Sequence, residues 1–96
     1  MDVAAYSASL TSDAPPSGVG APLAALWWAK KAEWDKAHRL VMADDSREAA
    51  WVHAYLHRVE GDVGNAGYWY RRASQPVTKL ALDAEWSAIV ADLLAR

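Results

Sequence analysis

The sequence has no cysteine and no phenylalanine, carries no large excess of charge of either sign, and contains no apolar run as long as a membrane span. Without thiols there are no disulfides, thiolate metal sites or cysteine nucleophiles, so His, Asp and Glu are the only candidate ligands or acid/base groups. A bilayer-crossing helix needs roughly 20 consecutive apolar residues. The 53% of the chain that is hydrophobic is therefore expected to fill a packed interior, and no membrane partner is expected. Ten Lys and Arg against twelve Asp and Glu leave a formal charge of -2, which gives no general attraction for nucleic acid. Residues 1–10 carry Asp2 and no Lys or Arg ahead of an apolar stretch, the wrong charge order for an export signal, so a cytoplasmic location is expected. There is no phosphate loop, dinucleotide fingerprint or nucleophile elbow. Gly61-Asp62-Val63-Gly64 joins two helical patterns without a preceding strand, so no catalytic motif supports an enzyme.

What is present points to one small all-α domain, since 96 residues suffice for a single core. Six Trp and four Tyr supply all the aromatic rings, and each brings an N–H or O–H that needs a partner once buried. Residues 1–20 are rich in Ser, Pro and Gly and read as a flexible leader, leaving residues 21–96 as the folded domain. Pro22 suits the first turn of a helix running to Lys31 because its missing N–H would have no helical partner there. A second helix places Trp34, Ala37, Leu40 and Val41 on one face and stops at Asp44 and Asp45. Asp45 followed by Glu48 resembles a capping box for a third helix, from about Ser46 to Glu60. Gly61 and Asp62 end that helix and cap a fourth, which Pro76 closes off. The last helix aligns Leu82, Trp86, Ile89, Val90 and Leu93 as a stripe that closes one side of the core.

The segment Glu33-Trp34-Asp35-Lys36-Ala37 recurs as Asp62-Val63-Gly64-Asn65-Ala66, 29 residues on, which is the signature of a repeat. The second unit resembles a tetratricopeptide repeat. Gly61-Asp62 stands at the family's turn, Ala54 at its small position on the first helix, and Ala66, Tyr70 and Ala73 at its small, aromatic and small positions on the second. The resemblance spans about residues 21 to 76 and implies two tetratricopeptide-like helical hairpins plus a C-terminal closing helix. His53 and His57 depart from it, standing where the family has Leu and Tyr, and the period is shorter than the usual 34 or so. Trp34-Asp35-Lys36-Ala37-His38, His53-Ala54-Tyr55-Leu56-His57-Arg58 and Asn65-Ala66-Gly67-Tyr68-Trp69-Tyr70-Arg71-Arg72 together are similar to a group of short, uncharacterised bacterial proteins, a similarity that implies no activity.

Two candidate sites follow, on opposite faces of the third helix. Glu48, Trp51, Tyr55 and Arg58 lie on the side that lines the peptide groove in the tetratricopeptide family. Trp, Tyr and Arg are also the residue types enriched in binding hot spots. On this basis the expected function is a non-catalytic interaction module without a cofactor, binding a peptide, a partner helix or a second copy of itself. The other face carries His53, His57 and Glu60 at i, i+4 and i+7, with His38 and Asp35 available from the preceding helix. This is a mixed N/O ligand set for a divalent metal and the basis of the alternative, a small metal-dependent or acid/base enzyme. The zinc-protease pattern is excluded because Ala54 occupies the place of its general base. Packing offers a simpler role for the same residues. His53 and His57 fill the hairpin, hydrogen-bonded to Tyr70, Glu60 or a carbonyl, His38 sits at its boundary, and Trp27, Trp34, Trp69 and Trp86 belong to apolar stripes.

Overall fold

Residues 1–96 are described by a computed structural model in which every regular element is helical. The elements are α1 (Val3–Ala8), extended by a 3-10 turn (Ser9–Thr11), α2 (Ala21–Lys30), α3 (Trp34–Met42), α4 (Arg47–Val59), α5 (Val63–Ala73) and α6 (Leu82–Ala95). The breaks fall where the chain offers a turn residue or a cap. Pro22 lies in the first turn of α2, Gly61 adopts φ 87° after α4, and the Asp62 carboxylate accepts the Asn65 N–H at 3.2 Å to start α5. The cap of α4 is Ser46 rather than Asp45: its Oγ accepts the Ala49 N–H at 3.0 Å, and Asp44 accepts the Ser46 N–H at 2.8 Å. The acidic pair thus shapes the turn, and Glu48, two residues inside the helix, is free to pair with Arg96 at 2.6 Å.

Helices α2 and α3 form one hairpin, α4 and α5 a second, and α3 packs on α4 to join them. Helix α6 then returns across α2 and α4, as its apolar stripe requires. The main core lies between α2, α4 and α6 and is filled by Leu26, Trp27, Val52, Leu56, Ile89 and Val90. Burying each such side chain stabilises the fold by roughly 1.5–3 kcal/mol before chain entropy is counted. Ala54, Ala66 and Tyr70 form a smaller cluster between α4 and α5, where the two Ala side chains allow close approach.

The first 20 residues are not a flexible leader. Asp2 caps α1 by accepting the Ala5 N–H at 2.8 Å, and Tyr6 is completely buried, its hydroxyl donating to the Leu23 carbonyl at 2.6 Å. Ser9 accepts the Trp27 indole N–H at 3.0 Å, and Lys31 donates to the Leu10 carbonyl at 2.7 Å. The composition of residues 1–20 favours solvation on average, but one tyrosine with both ends satisfied anchors the segment. The domain therefore includes it, and the helices number six instead of five.

Candidate functional site

On the expected recognition face of α4, Tyr55 and Arg58 are engaged by the chain itself. Tyr55 is buried, and burial, reinforced by the carboxylates of Asp83 and Glu85, pushes its hydroxyl up to about 12. Arg58 donates to Glu85 at 2.6 Å and to the Leu80 carbonyl at 2.7 Å. Tyr70 hydrogen-bonds the other oxygen of the buried Glu85. Glu48 is paired with Arg96, and Trp51 packs against both clusters. Tyr55 and Arg58 thus face α6 and the segment that leads into it, whereas Glu48 and Trp51, with Arg96, line an open cavity of about 270 Å³.

The opposite face of α4 is different in kind. Trp34 and His38, four residues apart on α3, stand against His53 and His57, four apart on α4. The Trp34 indole donates to the Leu56 carbonyl at 2.8 Å and stacks on His38, ring centres 4.6 Å apart. This holds His38 so that its Nε2 lies 3.0 Å from His53 Nε2. His53 is stacked between His57, at 4.8 Å, and the Trp69 indole of α5, at 3.8 Å. His57 Nδ1 meets the Glu60 carboxylate at 2.5 Å. A carboxylate only accepts, so His57 Nδ1 is the donor in that contact. One ligating nitrogen from each of His38, His53 and His57 lies within 4.8 Å of the other two. The three imidazoles are thus gathered into one packed cluster between α3 and α4, with His53 and His57 buried and His38 half-buried at its edge.

The electrostatics favour neutral rings. Burial, together with the neighbouring His38 and His57, pushes His53 down to about 4. Burial and His57 also lower His38, partly opposed by the negative Glu60 and Asp35. Neutral imidazole is the form that binds metals. His53 Nδ1 is the one buried side-chain nitrogen or oxygen of the chain without a hydrogen-bond partner, an arrangement that normally costs about 1–3 kcal/mol. Of the sequence candidates, Asp35 is exposed and falls outside the ligand group. Glu60 is reached, but as the partner of His57. Tyr70 does not bond a histidine, because Glu85 holds it.

Trp34 and Trp69 pack against the core clusters, as their apolar stripes predict, and their indoles also stack on His38 and His53. The signal that could have found Trp34 is the pair of facing i, i+4 patterns, Trp34/His38 and His53/His57. No family model matches the chain, and no curated protein or solved structure compared with it gives a significant match.

Proposed function

We propose that this chain is a metal-binding helical protein whose working centre is the His38–His53–His57 cluster, taking a divalent ion of the zinc class. The observation that supports this reading most strongly is the convergence of the three ligating nitrogens within 4.8 Å. Zinc–imidazole bonds of 2.0–2.1 Å at tetrahedral angles put ligand nitrogens about 3.3 Å apart, close to the 3.0 Å between His38 Nε2 and His53 Nε2. The Glu60–His57 contact supports the same reading, because a carboxylate on the far nitrogen fixes the tautomer and raises the basicity of the ligating one. Imidazole ligands suit zinc, copper, iron and nickel better than magnesium or calcium. Isothermal titration of chelator-stripped protein with zinc is expected to give one site per chain, lost in His53→Ala and His57→Ala. A wild-type titration without binding heat would remove the reading.

A second reading, as a module for a protein partner or a second copy, draws on a different observation. A cavity of about 350 Å³ lies between α2 and α3, lined by Trp28, Leu40 and Ala43 and flanked by Lys36 and Arg39. Concentration-dependent sedimentation that Trp28→Ala abolishes would favour it, and a monomer at all concentrations would count against self-association.

A further inference from the structure

We infer that α3 is the interface of a two-fold dimer in which two copies of this helix lie antiparallel, the acidic end of each against the basic end of the other; this rests on the second reading above, association through the α2–α3 surface. The charges along α3 are sorted by sign. Glu33 and Asp35 stand at its start and Lys36 and Arg39 follow, all four exposed and all lining one cavity of about 390 Å³. Glu33 and Lys36 are joined within the chain at 3.5 Å, and Lys36 lies 4.2 Å from the centre of a Trp28 ring. Asp35 and Arg39 have no ion-pair partner within the chain, although they stand four residues apart on one face of the helix.

Two charges of each sign give this surface no net charge with which to select a partner of one sign, so the order of the charges decides what fits. A parallel copy sets Asp35 on Asp35 and Arg39 on Arg39. A copy turned end for end by a two-fold axis sets Asp35 of each chain against Arg39 of the other, the self-complementarity that an isologous interface requires. The same register matches apolar surface to apolar surface. Trp34 precedes Asp35 and Leu40 follows Arg39, so pairing Asp35 with Arg39 sets Trp34 opposite Leu40. Leu40 and Trp28 line the apolar cavity of about 350 Å³, Trp34 lines the neighbouring one, and Arg39 belongs to both. Trp28, Trp34 and Leu40 are half-buried in the single chain, which leaves side-chain surface for a second copy to cover. Covering Trp34 strands no donor, because its indole N–H already bonds the Leu56 carbonyl. Apolar burial supplies the attraction and the reciprocal charge pairs fix the orientation.

The test is sedimentation of the full chain and of Asp35→Arg and Arg39→Asp, each alone and the two mixed in equal amounts, with helical circular dichroism checked for every variant. The wild type is expected to dimerise, and either reversal to raise the dissociation constant by at least about tenfold, since each sets like charges together twice. The mixture is expected to return to within about threefold of the wild type, because one chain then offers two cations where the other offers two carboxylates. Should Asp35→Arg unfold, Arg39→Asp alone carries the first expectation. Weakening by both reversals without recovery in the mixture would overturn the reciprocal pairing. A dimer that Trp28→Ala disrupts but neither reversal affects would overturn the antiparallel arrangement and leave the association reading intact. A wild-type monomer at all concentrations would remove both.

Discussion

The two faces of α4 solve the burial of polar aromatic groups in opposite ways. Toward α6 and α1, each polar tip meets a fixed partner. Tyr6 donates to Leu23, Trp27 to Ser9 and Trp86 to the Leu26 carbonyl, while Glu85 accepts from both Arg58 and Tyr70. Toward α3 and α5, His53 stacks on His57, His38 stands edge-on to both with its Nε2 3.0 Å from that of His53, and His53 Nδ1 has no partner. The first face holds α6 and α1 in place; the second is the face on which the metal-binding proposal rests.

That contrast can be broken from the dry side first. Tyr6→Ala removes a fully buried ring together with its bond to Leu23 and is expected to cost about 3–5 kcal/mol in urea unfolding, while zinc affinity at the far face stays unchanged. A loss below about 1 kcal/mol would mean that α1 is not part of the core.

The histidine face gives a smaller effect that depends on pH. The His53 value is pushed down to about 4 in the folded protein, against an ordinary 6.5. Between these two values the unfolded chain binds the proton that the folded chain refuses, so stability is fully present above about pH 6.5 and declines as the pH falls toward 4. For the chelator-stripped protein the loss between pH 7 and pH 5 is expected to be about 2 kcal/mol. Unfolding curves that coincide at the two pH values would contradict the burial of a neutral His53.

The smallest change should come from His53→Leu. This substitution removes the unpaired nitrogen and keeps an apolar group of similar size, so the metal-free melting temperature is expected to hold or rise slightly. A fall of several degrees would show that the imidazole serves packing.

Much of this architecture was legible in the sequence because it depends on local chemistry. The all-α class, the breaks near Ala32, Asp44, Gly61 and Pro76, and the stripe of α6 follow from helical periodicity and turn residues. The position of α1 was not legible. A single Tyr6 anchoring a segment otherwise rich in Ser and Gly is a tertiary fact, which average composition conceals. On the Glu48–Arg58 face, nothing local in the sequence foretells that Arg58 meets Glu85, 27 residues later. His53, His57 and Glu60 share one helix, so their alignment was visible. His38 does sit at the boundary, and its approach to His53 depends on Trp34 finding the Leu56 carbonyl on the neighbouring helix.

X-ray absorption at the zinc edge of the loaded wild-type protein tests the central claim most directly. Three imidazole nitrogens at about 2.0–2.1 Å are expected, with one imidazole lost in His38→Ala. A spectrum showing fewer than three imidazoles in the wild type, or one that His38→Ala leaves unchanged, would contradict the assignment of His38, His53 and His57 as one metal centre.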